Sequence, residues 1–107
     1  MTAGSRSKTP FPFRALARFA DNVYRGRELA GLDQKEAAKR AALNRSRLDK
    51  IENGEYIPTL DVLIRLAGAY STSVGDLVNG VMWRPGWVEH SGPAEYLVSE
   101  DAPGDPR

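Results

Sequence analysis

No cysteine occurs among the 107 residues, and histidine occurs once, at His90. The first absence excludes a disulfide framework and any thiolate metal site. Together the two exclude a zinc site of the His/Cys kind, and the carboxylates show no loop spacing that would favour another cation. No cofactor is expected. No apolar run approaches the roughly 20 residues needed to span a bilayer. Met1–Pro12 holds Arg6 and Lys8 among small polar residues, with no apolar stretch behind them of the kind a secretory signal has. A soluble, cytoplasmic protein without a membrane partner is therefore expected. Enzymatic signatures are missing too. No nucleophile stands beside a histidine, no Gly-rich phosphate loop is present, and no paired carboxylates share a face. His90 falls in a predicted turn beside Glu89 and reads as solvated.

What is present suits one helical domain. Apolar residues make up 41% of the chain, enough for a small bundle. The net charge of +1 conceals an asymmetry: residues 1–57 hold twelve Lys and Arg against seven Asp and Glu, and residues 58–107 hold three against seven. A basic front half points to an anionic partner, although a chance distribution of surface charge gives the same count.

Residues 1–12 carry no apolar period and read as a flexible arm. From Arg14 onward Leu16, Phe19, Ala20, Val23 and Tyr24 recur at helical steps, up to a stop at Gly31. Asp33 predicts a helix cap with Glu36 as its capping-box partner, opening a short helix Gln34–Ala41 with Ala37, Ala38 and Ala41 on a close-packing face. Asn44 caps a third helix, Arg45–Asn53, with Leu48 and Ile51 inside. Thr59 caps a fourth, whose buried side is read as Leu60, Leu63, Ile64, Leu66, Ala67 and Tyr70. Ser73 caps a short fifth, stopped at Gly80. Residues 13–80 thus form the expected domain. Val81-Met82-Trp83 and Tyr96-Leu97-Val98 predict a β-hairpin over 81–98, followed by a disordered acidic tail, 99–107. The fold expected is all-α: a five-helix bundle with a short C-terminal hairpin.

Two short helices joined by a three-residue break over Gln34–Asn53 have helix-turn-helix spacing. The free face of Arg45–Asn53 carries Arg45, Ser46, Arg47, Asp49 and Lys50. Arg and Lys can donate to guanine O6 and N7, but charged residues on an outer helix face are as often merely solvated. Spacing alone leaves both readings open.

The segment 23–79 resembles the Cro/phage-repressor type of helix-turn-helix domain, the xenobiotic-response-element-like regulators. The resemblance rests on Arg27, Gly31-Leu32-Asp33-Gln34, Ala37-Ala38, Leu48 and Ile51-Glu52-Asn53-Gly54. Pro58-Thr59-Leu60, Leu63, Leu66-Ala67, Ser73-Val74 and Asp76-Leu77 complete it. It departs at Ala42, where the family usually has a turn glycine, and at Gly26, where it usually has leucine. The first costs about 1 kcal/mol of backbone strain; the second is expected to thin the core.

The resemblance implies double-stranded DNA as partner. It implies base contacts from Asn44, Arg45, Ser46 and Lys50, and phosphate contacts from Gln34, Arg47, Asn53 and Arg27. It also implies an ion pair between Arg27 and Glu52 that ties the recognition helix to the bundle. The apolar C-terminal segment reads either as a hairpin covering the helical core or as a dimer interface, and a mixture is expected: the hairpin folds back, and the fifth helix and hairpin supply a homodimer contact with Leu77, Val81, Trp83, Trp87, Tyr96 and Leu97 at its interface. The arm with Arg6 and Lys8 could enter a minor groove, but a plain terminus or expression remnant is the favoured reading. The function expected is that of a sequence-specific prokaryotic repressor or autoregulator. The alternative is an antitoxin or adaptor that holds a protein partner, such as a toxin, through its C-terminal segment.

Overall fold

Every helix after the first starts at a short polar side chain that accepts a backbone N–H from the turn it opens. The computed structural model describes residues 13–86 and 93–99. Its helices are α1 (Phe13–Leu29), α2 (Gln34–Arg40), α3 (Arg45–Glu52), α4 (Leu60–Ala69) and α5 (Val74–Leu77). Asp33 Oδ1 accepts from the Glu36 amide at 2.8 Å, and Asn44 Oδ1 from the Arg47 amide at 2.7 Å. Thr59 and Ser73 do the same for α4 and α5. Each cap is worth about 1 kcal/mol. The reciprocal box forms at α5, between Ser73 and Asp76. At α2 the expected partner Glu36 turns forward along its own helix to Arg40.

Four helices end in the same way. Gly31, Ala42, Gly54 and Ser71 adopt left-handed φ of 74°, 57°, 74° and 57°. After each, the next amide reaches back five residues: Leu32 to Arg27, Leu43 to Ala38, Glu55 to Lys50 and Thr72 to Ala67. This ending satisfies carbonyls that a helix terminus otherwise leaves open. Glycine takes the conformation without strain, whereas Ala42 and Ser71 each bear about 1–2 kcal/mol of steric cost.

The core gathers one face of each helix: Phe19 and Val23 of α1, Ala37 and Ala38 of α2, Leu48 and Ile51 of α3, Val62 and Leu66 of α4, and Leu77 of α5. Three sequence expectations change here. On α4 the inner row is Val62, Leu66, Ala69 and Tyr70, so Leu60 and Ile64 face outward at 65% and 54% exposure. The apolar residues of α4 surround most of the helix, so periodicity alone did not fix its rotation. Tyr24 is likewise exposed, with its hydroxyl on Glu28. Gly26 does not leave a void: a Cβ there would stand 3.0 Å from Tyr70 Cδ2, so the tyrosine ring occupies the room a leucine would take.

Strands β1 (Val81–Arg84) and β2 (Glu95–Val98) pair antiparallel, Val81 opposite Val98 and Trp83 opposite Tyr96. The Trp83 and Tyr96 rings meet edge to face at 5.0 Å, and Arg84 pairs with Glu95. The hairpin packs on α1, with Val98 buried. Asn22, in the middle of α1, donates to the carbonyls of Leu77 and Asn79 and so fastens the exit of α5. The expected arm 1–12 and Trp87, His90 and the tail beyond Ser99 lie outside the described residues. Among those described, no helix is long and apolar enough to cross a membrane.

Leu77 was expected at a dimer surface. It is 1% exposed and sits in its own chain's core. Leu77→Ala should therefore lower folding stability by about 2–5 kcal/mol through the cavity it leaves. Urea denaturation followed by circular dichroism measures this, and a midpoint equal to wild type would place Leu77 outside the core.

Candidate nucleic-acid interface

Helix α3 is short, and it is held by few groups. Leu48 and Ile51 are fully buried one turn apart, which fixes which side of α3 faces the core. Arg45, Ser46, Arg47, Asp49 and Lys50 are consequently all exposed. Asn44, Ser46, Arg47 and Lys50 converge with Tyr56 around a shallow depression of about 210 Å³. The Arg47 guanidinium lies over the Tyr56 ring, 5.2 Å from its centroid, a favourable contact that also limits where the charge can go. Tyr56 was not singled out from the sequence; an aromatic residue just beyond the recognition helix was the available signal.

Behind this face runs a continuous polar network. Arg27 donates through Nε and Nη2 to the Glu52 carboxylate at 2.6 and 3.1 Å, and through Nη1 to the Leu32 carbonyl at 3.0 Å. The pair is shielded, with side-chain exposures of 13% and 5%. The hydrogen bond to Glu52 leads the causes that raise the guanidinium pKa above its ordinary value. Gln34 continues the chain. Its Nε2 donates to Glu52 at 3.0 Å and to Asp49 at 3.1 Å, while its Oε1 accepts from Arg45 Nε at 3.3 Å. Asn53 Nδ2 donates to the other Asp49 oxygen at 3.2 Å. Tyr70 packs nearby with its hydroxyl buried and its pKa pushed up, chiefly by that burial.

Several sequence-assigned residues therefore do more than one thing. Asn44 caps α3 through its oxygen, which leaves its amide N–H donors for another partner. Gln34 and Arg27 were assigned to phosphate, and both are engaged inside the protein. The cause is local: the Asp33 cap sets Gln34 in the first turn of α2, directly against the outer edge of α3.

Breaking a shielded pair leaves its partner charge uncompensated. Glu52→Ala should cost about 3 kcal/mol for that reason, and Arg27→Met combined with Glu52→Leu should recover most of the loss. Chemical denaturation of the three chains checks this. Equal stability of Glu52→Ala and wild type would show that the pair carries no structural weight.

With this geometry in hand, comparison places the chain among known folds. Residues 23–77 match the helix-turn-helix family, about half of the chain. The restriction-modification controller protein C.AhdI from Aeromonas hydrophila is 26% identical with a TM-score of 0.59, over 61% of this chain and 98% of its own. An HTH_3 family transcriptional regulator from Vibrio cholerae is 23% identical with a TM-score of 0.56, over 60% of this chain and 36% of its own, and shows likeness of fold. Hydroxypropylphosphonic acid epoxidase from S. wedmorenis is 28% identical with a TM-score of 0.58, over 72% of this chain but only 38% of its own, so that likeness is to one part of a larger protein. Comparison with curated protein sequences gives no match. The chain belongs to the Cro/C1-type helix-turn-helix family and is a DNA-binding transcription regulator.

Proposed function

We propose that this protein is a sequence-specific repressor or autoregulator that reads the major groove with α3. One observation carries the reading: Leu48 and Ile51 are wholly buried, so Arg45, Ser46, Arg47 and Lys50 are turned outward together. An α-helix fits the major groove, and such donors match guanine O6 and N7. In this reading Asn44, Arg45, Ser46 and Lys50 face base edges. Arg47, steadied over Tyr56, and Asn53 meet the sugar-phosphate backbone. Gln34 acts from behind, holding Arg45 at its Nε and leaving both Nη groups for a base. Arg27 serves as the strut of Glu52.

The assignments separate by experiment. Arg45→Ala and Lys50→Ala should each cost about 1–3 kcal/mol on the preferred site, with a much smaller loss on random duplex. Arg47→Ala should weaken binding to all sequences alike and flatten the salt dependence by about one ion equivalent. Fluorescence anisotropy titrations at several salt concentrations measure both. Wild-type affinity of Arg45→Ala and Lys50→Ala on both DNAs would refute the base-reading role.

Dimerisation serves this function because two helices about 34 Å apart read adjacent turns of DNA. With Leu77 withdrawn into the core, we assign the contact to the exposed side chains of the hairpin. Trp83 and Met82 are exposed at 50% and 36% on opposite faces of the two strands, Trp83 across from Tyr96 and Met82 across from Leu97, while Val81 packs against the core. Ile64 on α4 offers a rival apolar surface. Sedimentation at micromolar concentration should find a dimer that Trp83→Glu dissociates and Ile64→Glu preserves. The reverse pattern would move the interface to α4.

A further inference from the structure

Each end of the recognition helix needs its own anchor. The C-terminal end has one in Glu52, bound by Arg27 and Gln34. The N-terminal end, which carries Asn44, Arg45 and Ser46, follows the α2–α3 turn directly, and whatever holds that turn holds those side chains. The turn is a strained one, since Ala42 is a non-glycine residue at φ 57°. Arg65 reaches it from α4. Its Nη1 donates to the Ala41 carbonyl at 3.0 Å and to the Ala42 carbonyl at 2.8 Å. Its Nη2 donates to Asp61 at 3.0 Å, which orients the guanidinium plane from its own helix. Arg65 Nε is buried without a hydrogen-bond partner, so it is the two Nη groups that direct the side chain.

We propose that Arg65 is a positioning residue for DNA recognition: it clamps the left-handed α2–α3 turn from α4 and so sets the attitude of α3 in the groove. This rests on the DNA-binding reading of α3. A charged donor on two successive carbonyls holds a bend more firmly than neutral contacts do. Both carbonyls belong to the segment where the chain changes direction between the two helices. A turn glycine would need less holding, because its left-handed conformation carries no side-chain clash. Arg65 therefore compensates for Ala42, and the two positions should be coupled.

The test uses the full chain with Arg65→Met, which keeps the apolar stem, with Arg65→Lys, which keeps a charged donor, and with Ala42→Gly added to Arg65→Met. The first readout is amide hydrogen exchange in the free protein. The Leu43 amide, bonded to the Ala38 carbonyl across the turn, should exchange about tenfold faster in Arg65→Met, while core amides of α4 do not change. The second readout is affinity for a duplex selected from a random pool, against affinity for unselected duplex. Arg65→Met should lose about tenfold on the first and under about threefold on the second. Arg65→Lys and the Ala42→Gly double variant should each recover part of both effects.

Unchanged Leu43 exchange in a folded Arg65→Met chain overturns the clamp, and so does an equal loss on both duplexes. If Arg65→Met fails to fold, a folded double variant supports the clamp. An unfolded double variant makes Arg65 a general support and overturns it. If wild type selects no sequence at all, the DNA reading fails by itself and takes the recognition role with it; hydrogen exchange then still decides whether Arg65 holds the turn.

Discussion

The Arg27–Glu52 pair is the constraint on which the rest of the arrangement depends. It joins the end of α1 to the end of α3, and Gln34 brings the start of α2 to the same carboxylate. Three helices are thereby registered on one buried anion. The pair need not add net stability to do this, because desolvation of both charges offsets their attraction. Its effect is geometric. A helix the length of α3, with two fully buried side chains, would otherwise be free to rock on the core. From Glu52 the order passes through Gln34 to Arg45, so a structural ion pair and a candidate base-reading side chain lie on one hydrogen-bonded path.

The outward face of α3 and its inward fixings are two results of the same periodicity. Leu48 and Ile51 take the inner positions, so the cations take the outer ones. The acidic Asp49 lies among those cations, yet it is held by Gln34 and Asn53. A phosphate backbone approaching this face would therefore meet Arg45, Arg47 and Lys50 beside an anion each of whose oxygens already accepts a hydrogen bond within the protein. That arrangement favours a defined approach over indiscriminate attraction.

Much of the fold was legible in the sequence because its punctuation is local. Asp33, Asn44, Thr59 and Ser73 announce helix starts by chemistry that acts within three residues, and all four do so in the structure. Gly31 and Gly54 announce ends in the same way. The rotation of α4 was not legible, since Leu60, Val62, Leu63, Ile64 and Leu66 offer apolar groups in most directions and only the neighbours decide which go inside. Nor was the filling of the Gly26 gap by Tyr70, a contact between residues 44 positions apart in sequence. At the candidate interface, the Arg27–Glu52 pair followed from resemblance. The engagement of Gln34, the stacking of Arg47 on Tyr56 and the reach of Arg65 to the α2–α3 turn depend on tertiary proximity that no spacing encodes.

A helix α3 that reads a particular sequence differs measurably from one that merely adheres to DNA. Selection of duplexes from a fully random pool by the intact protein, at near-physiological salt, tests the difference most directly. Base reading by α3 in a dimer predicts an enriched motif with guanine in each of two symmetric half-sites, centred about 10 base pairs apart. A bound fraction indistinguishable in sequence from the starting pool would contradict it.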